Sequence, residues 1–194
     1  MCRVSGKKCS RASADAANIK RSISDLSRQH GGRKMDYLFK TRDAGTEVGC
    51  GECGLIAGVN TTKELQDCGF KMPKVMKDMM FRLVLESPGV MNKLCISGVY
   101  IGQNVLKLSI LDCPAGYVTR YDAFNPVDYP MTESKIRRQL AAVLKMILSA
   151  RLIMQDAKQK LDDDDSEIVL GKQRHLIMQP SFTLNVVYNK KRKL

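Results

Sequence analysis

Apolar and polar residues alternate with a period of two in the middle of the chain, which predicts β-strands. Residues 79–87 follow this pattern, with Phe81, Leu83 and Leu85 on one face. Three more alternating stretches follow at short intervals, separated by turns rich in Gly, Pro and Asn: KLCISGVYI, VLKLSILD and YVTRYDAF. Short connections of this kind predict neighbouring antiparallel strands.

A helical period replaces the alternation after the segment NPVDYP. Thr132 is a suitable N-cap, Glu133 suits the first turn, and no Gly or Pro occurs before Gly171. These features predict an amphipathic helix of about 28 residues that packs across the sheet. Its apolar positions recur at intervals of three and four, and two leucines widen the stripe: Ile136, Leu140, Val143, Ile147, Ala150, Met154 and Ala157, with Leu144 and Leu148.

Three apolar stretches after this helix predict further strands: EIVL, RHLIM and FTLNVVY. Strands, one long helix and then strands again are typical of an α+β protein. We therefore expect an antiparallel sheet of about five to six strands packed by one long amphipathic helix, with a flexible basic N-terminal arm and a basic C-terminal tail.

The positive charge lies at the two ends of the chain. The formal net charge is +12, and residues 1–42 contain eleven Lys and Arg against three Asp and Glu. Residues 190–193 contribute four more positive charges, so residues 43–189 are neutral overall. This distribution predicts three parts: a flexible basic arm over 1–42, a single charge-neutral α+β domain over 43–189, and a basic tail over 190–194.

Basic clusters at the ends of a chain are typical of proteins that bind polyanions. The C-terminal NKKRKL also has the composition of a nuclear-import signal, carried by Lys190, Lys191, Arg192 and Lys193. Few aromatic residues accompany the basic ones, so we expect phosphate contacts rather than base stacking. The predicted polyanion-binding residues are Lys7, Lys8, Arg11, Lys20, Arg21, Arg33 and Lys34, with Arg137 and Arg138 on the long helix.

The stretch GCGECG at residues 49–54 matches two known motifs at once. It spells the G-x-G-x-x-G of dinucleotide-binding loops, but the polar residues before it do not form the required buried strand. Its C-x-x-C makes Cys50, Cys53 and Cys68 a weak zinc candidate, because no second closely spaced pair of ligands exists. We therefore expect no metal and no cofactor, and interpret residues 45–58 as a glycine-rich loop.

Recognisable enzyme motifs are missing from the sequence, which favours a non-enzymatic protein. Catalytic residues assembled across a fold leave no local motif, so an enzyme stays open as an alternative. The first 30 residues do not resemble a secretory leader, and no apolar run is long enough for a transmembrane helix, so we expect neither secretion nor membrane insertion. We expect a protein of the nucleus and cytoplasm.

Together these features predict a structural or scaffolding protein that binds nucleic acid or a ribonucleoprotein, is recognised by a nuclear import receptor and self-associates. The sheet edge or the methionines at 72, 76, 79 and 80 are the candidate contact surfaces, although core filling is the favoured role of the methionines. In length, charge and its basic N-terminal segment, the chain resembles small viral matrix proteins. That resemblance implies nucleocapsid condensation and contact with anionic membrane, and the import cluster would suit a plant rhabdovirus. A viral movement or silencing-suppressor protein that binds RNA is a further alternative.

Overall fold

The computed structural model describes residues 2–19, 21–22, 29–54, 62–164 and 178–181. The described residues form seven strands and four α-helices. In chain order these are β1 (Cys2–Cys9), α1 (Arg11–Asn18), β2 (Lys34–Thr41), β3 (Glu47–Gly54), α2 (Thr62–Gln66), α3 (Met72–Glu86), β4 (Cys95–Gly102), β5 (Val105–Asp112), β6 (Arg120–Ala123), β7 (Val127–Asp128) and α4 (Glu133–Asp162). A π-helical turn over Asp67–Lys71 joins α2 to α3, and a 3₁₀ turn over Pro88–Val90 follows α3.

All seven strands belong to one sheet with the order β1-β2-β3-β4-β5-β6, and β7 pairs with the start of β5. Every pair is antiparallel except β3 and β4, which run parallel and are connected through α2 and α3. The expected α+β fold, with a mostly antiparallel sheet and a long helix towards the C-terminus, is confirmed. The meander predicted for residues 94–124 is present as β4, β5 and β6.

Helices α3 and α4 cover opposite faces of this sheet. A Cβ added at Gly98 would lie 2.6 Å from Met72 Cε of α3, and one added at Gly49 would lie 3.0 Å from Met154 Cε of α4. Gly49 lies beside Ser97 in the parallel ladder, one position before Gly98. Because successive residues of a strand point to opposite faces, the sheet is enclosed between the two helices.

The methionines proposed as a contact surface are instead the centre of the core. All four, at positions 72, 76, 79 and 80, are 0% exposed and pack with Leu38, Ile96 and Tyr100. Their flexible side chains fill the space between α3 and the sheet. The favoured core-filling role of these methionines is therefore confirmed, and the alternative that they form a docking surface is wrong.

The strand predicted over residues 79–87 is the second half of helix α3. Met79, Met80, Phe81, Leu83 and Val84 are all buried, so nearly the whole circumference of the helix is apolar here. A short apolar run of this kind does not distinguish a buried helix from a strand. Pro73, in the first turn of α3, is the helix-start signal that the alternation obscured.

The segment expected to be a flexible arm is part of the sheet. Residues 2–9 and 34–41 form the antiparallel pair β1 and β2, and α1 belongs to the connection between these two strands. Met35 and Leu38 are fully buried, and the boundary expected at residue 42 falls in the connection between β2 and β3. Charge composition alone misled here, because an edge strand can carry many exposed basic side chains while its backbone pairs with a neighbour.

Helix α1 is held against the sheet by the buried carboxylate of Glu47, the first residue of β3. Glu47 accepts hydrogen bonds from Ser10 Oγ at 2.6 Å, from the Arg11 N–H at 2.9 Å and from the Ala12 N–H at 3.2 Å. Lys40 Nζ lies 3.1 Å from Glu47 Oε1, the oxygen that also accepts from the Arg11 N–H. The first amides of a helix have no partner within the helix, and Glu47 supplies one together with a negative charge.

The stretch GCGECG is strand β3, not a loop, and its glycines serve close packing. A Cβ at Gly54 would lie 2.0 Å from Tyr100 Oη, and one at Gly49 would lie 2.9 Å from the Ser97 carbonyl oxygen. Glycine is required where another group approaches the backbone this closely. The expectation of a glycine-rich loop is therefore wrong for residues 47–54, whereas residues 55–58 lie outside the described residues.

Helix α4 begins after Thr132, as predicted, and continues to Asp162. Val143, Ala150, Met154 and Ala157 are its buried residues. The three strands predicted beyond it lie mainly outside the described residues.

Candidate interaction surfaces

Five exposed basic side chains cluster along the outer edge of the sheet, and we call this group the basic edge. It includes four of the predicted polyanion-binding residues and one that was not predicted. Cys9 pairs with Lys34 across the β1–β2 ladder, which brings that residue beside the end of β1. None of the five forms an ion pair with any residue that the structure describes. The basic edge consists of Arg3, Lys7, Lys8, Arg11 and Lys34.

The outer backbone of β1 is not paired with another described strand, and its shape disfavours such pairing. Lys7 has a φ of 28°, which interrupts the extended conformation in the middle of the strand. Irregular backbone and exposed lysines are common protections against edge-to-edge association. The charges of this edge, in contrast, are open to anions.

Other predicted residues have different surroundings. Arg33 is committed to the fold, because its Nη1 lies 3.0 Å from Asp78 Oδ2 and donates to Ser13 Oγ. Arg21 is half-buried, and Arg137 and Arg138 lie on α4, away from the basic edge. Lys20 and the import candidates at 190–193 lie outside the described residues.

Residues 135–152 of α4 expose both apolar and basic side chains, and we call the exposed side of this stretch the α4 surface. Of residues 133–142, only Gln139 is even half-buried. The predicted apolar stripe is real, but the sheet covers only one flank of it. The aliphatic residues of the surface are between 40 and 55% exposed: Ile136, Leu140, Leu144, Ile147, Leu148 and Leu152. Five basic residues accompany them: Lys135, Arg137, Arg138, Lys145 and Arg151.

The three cysteines of the zinc candidate do not form a site. Cys50 and Cys53 are three positions apart in strand β3, so their side chains leave opposite faces of the sheet. Burial raises the pKa of the Cys50 thiol, and burial with the nearby Glu64 raises that of Cys68 to about 12, so both stay protonated. Within the described residues, no group of three or more His, Cys, Asp or Glu side chains could hold a metal ion.

A buried group of carboxylates and a lysine, which the sequence reasoning missed, lies towards the carboxyl ends of β3 and β4. Glu52 is 3% exposed, and its Oε1 is 2.7 Å from Lys71 Nζ in an ion pair that lacks hydrogen-bond alignment. Asp67 is 7% exposed, and its Oδ2 has no hydrogen-bond partner among the described residues. Asp36 accepts a hydrogen bond from the Cys53 N–H at 3.0 Å. We call these four residues the carboxylate cluster.

Burial raises the pKa of Glu52, and the negative charges of Asp36 and Asp67 add to this effect, whereas Lys71 opposes it. A buried carboxylate with a raised pKa can exchange a proton nearer to neutral pH than an ordinary one. The carboxyl ends of parallel strands are also a common location for ligands. No sequence signal could have identified this cluster, because its members are dispersed over residues 36–71 and are joined only by the fold.

The basic edge and the carboxylate cluster are neighbours. Gly6 pairs with Tyr37 and Lys8 with Met35, so Lys7 lies opposite Asp36 in the ladder. Asp36 is at the same time the β2 member of the cluster. A polyanion on strand β1 would therefore lie one strand away from Asp36 and two strands away from the buried Glu52.

Searches against protein-family models, curated proteins and solved structures found no match to this chain. In the part of the chain that the structure describes, none of the helices combines the length and the apolar character needed to cross a bilayer.

Proposed function

We propose that this protein is a structural or scaffolding protein that binds nucleic acid or a ribonucleoprotein through its basic edge. The observation that carries the proposal is the grouping of Arg3, Lys7, Lys8, Arg11 and Lys34 on one exposed edge, where none of them has an acidic partner among the residues that the structure describes. Lysines and arginines that lack ion-pair partners are free to replace the counterions of phosphates.

The contacts would be made to the phosphate backbone and would carry little sequence preference. No Phe, Tyr or Trp occurs in strand β1 itself, and Tyr37 and Phe39 of the neighbouring strand β2 are partly buried, so the edge offers little surface on which bases could stack. Nuclear import through residues 190–193 and self-association remain predictions from the sequence, since the import candidates lie outside the described residues.

Lysine protection tests this proposal directly. The full chain is acetylated briefly with and without a generic single-stranded RNA, and modification is measured by mass spectrometry. We expect RNA to protect Lys7, Lys8 and Lys34, whereas exposed Lys93 in the turn before β4 serves as the control. Equal protection at all four lysines, or at none, would rule out the basic edge as the binding surface.

The carboxylate cluster favours a second candidate, an enzyme that acts on the bound nucleic acid. A water molecule would attack the phosphorus while Glu52 accepts its proton, Lys71 would stabilise the negative charge on the phosphate, and Glu52 would return the proton to the sugar oxygen as its bond to phosphorus breaks. The supporting observation is the burial of Glu52 beside Lys71 and of Asp67, whose Oδ2 has no hydrogen-bond partner among the described residues.

Incubation of RNA and DNA with the purified protein, with and without divalent cations, tests this candidate. Cleavage that is abolished in both E52Q and K71Q, but kept in the exposed control E86Q, would support it. Intact nucleic acid under all conditions would leave nucleic-acid binding as the function.

A further inference from the structure

The aliphatic side chains of the α4 surface need a partner. Leu144, Leu148 and Leu152 are 55, 52 and 54% exposed, and they follow one another at intervals of four residues. Residues spaced in this way lie on one side of a helix. Contiguous apolar surface of this kind on a folded domain marks an interaction site.

The charges around these side chains are of one sign. No acidic residue occurs between Ser134 and Gln155, whereas five basic ones do. Arg137 and Arg138 lie at one end of the apolar surface and Arg151 lies at the other. The partner must therefore combine an apolar interior with negative charge at its border.

A second copy of the chain fits this description poorly. Two α4 helices that pack antiparallel about Leu144 would place Arg137 of each copy near Arg151 of the other. Such like-charge contacts at an apolar interface oppose association.

Two of the undescribed segments, residues 165–177 and 182–194, are attached away from the α4 surface. Residues 182–194 follow Ser181, whose N–H donates to Asp78 of α3 on the other side of the sheet. Residues 165–177 follow the far end of α4, twelve residues beyond Leu152. These attachment points do not favour either segment as the covering partner.

We propose that the α4 surface binds a membrane that contains anionic lipid. The helix would lie in the plane of the interface, with Leu140, Leu144, Ile147 and Leu148 among the acyl chains and the arginines at the lipid phosphates. This combination of an aliphatic face with bordering Lys and Arg is typical of interfacial helices. The inference goes beyond the proposed function and does not depend on it.

Co-sedimentation of the full chain with vesicles tests this inference. Wild-type protein should pellet with mixed phosphatidylcholine and phosphatidylserine vesicles but not with pure phosphatidylcholine. R137Q/R138Q should lower the partition coefficient roughly thirtyfold, since each basic residue near an anionic surface contributes about a factor of five. L144S/L148S should lower it by at least roughly tenfold. L65S, a change at a 64% exposed leucine of α2, should bind as wild type does.

A fluorescence measurement makes the result independent of whether L144S/L148S folds. The chain contains no Trp, so L144W introduces a unique reporter at an exposed position. Its emission should shift to the blue and resist iodide quenching when phosphatidylserine vesicles are added. An unchanged spectrum with pelleted protein would show that another surface binds lipid and would overturn the proposal.

Two other outcomes would also overturn it. A wild-type dimer in sedimentation velocity that L144S/L148S dissociates, without vesicle binding, would assign the surface to a second copy. RNA binding that R137Q/R138Q weakens, again without vesicle binding, would assign it to nucleic acid.

Discussion

Replacement of Glu47 by Gln tests whether the N-terminal segment is held in the fold as the structure indicates. One carboxylate oxygen accepts from Ser10 Oγ and the Ala12 N–H, and the other from the Arg11 N–H, with Lys40 beside it. In E47Q one of the two oxygens becomes an NH₂ group that faces donors. Hydrogen bonds to a charged group contribute about 1.5–3 kcal/mol each.

Two contacts are lost in the variant, and the Ser10 hydroxyl can recover part of one by turning its lone pair towards the new NH₂ group. We therefore expect the free energy of unfolding to fall by about 2–4 kcal/mol, which for a chain of this size lowers Tm by about 5–15 °C. Urea and thermal unfolding at neutral pH measure the change. The control is E86Q. Glu86 makes an exposed i,i+4 pair with Arg82, so its replacement should change the free energy of unfolding by less than about 0.5 kcal/mol.

The same variant has a pH dependence with a defined sign. Burial alone would raise the pKa of Glu47, but the hydrogen bonds from Ser10, Arg11 and Ala12 and the Lys40 ammonium outweigh it and lower the pKa below 4.5. The native carboxylate therefore stabilises the fold above its unfolded-state pKa, and this contribution is lost as pH falls through the folded-state pKa. The difference between wild type and E47Q should shrink on acidification. Equal stability of the two proteins at neutral pH would refute the reasoning and return the segment to a mobile arm.

Two further substitutions test the packing of β3 and the carboxylate cluster. G49A should lower the free energy of unfolding by about 1–3 kcal/mol, measured in urea, because its Cβ meets the Ser97 carbonyl oxygen at 2.9 Å. The control G31A, which has open space around its Cβ, should change the free energy little. Equal losses in the two variants would disprove the close packing at Gly49. E52Q should gain stability relative to wild type as pH rises, because a raised folded-state pKa makes the ionised carboxylate costly in the native state. If the free energy of unfolding of wild type instead rose relative to that of E52Q as pH increases, the raised pKa of Glu52 would be contradicted.

The sequence predicted the parts of the fold that repeat a simple period over a sufficient length. Strands β4, β5 and β6 have clear alternation and turn residues, and α4 has Thr132 at its start and a long apolar stripe, although the Thr132 side chain makes no capping hydrogen bond. Helix α3 was misassigned because a helix that is buried on nearly all sides is apolar throughout, so its residues fit the period of a strand as well as that of a helix. Strand β3 was missed because its glycines are required by close contacts with residues that are distant in sequence.

The candidate sites were predictable to different degrees, also for physical reasons. Lys7, Lys8, Arg11 and Lys34 could be selected by charge, but not their arrangement on a strand edge. Arg33 looked the same in sequence, although it is paired with the buried Asp78. The carboxylate cluster depends on contacts between β2, β3 and the turn before α3, and no local pattern encodes such contacts.

The central claim is that the basic edge binds nucleic acid phosphates while it remains part of the sheet. Point substitutions must test it, because removal of residues 1–42 would delete two strands. The most direct measurement is the affinity for single-stranded RNA as a function of salt, for wild type, K7Q/K8Q and the control R42Q/K93Q. We expect K7Q/K8Q to make the slope of log K against log salt shallower by about 1.4, since each phosphate contact on a single strand contributes about 0.7. A slope in K7Q/K8Q equal to that of wild type and the control would contradict the account.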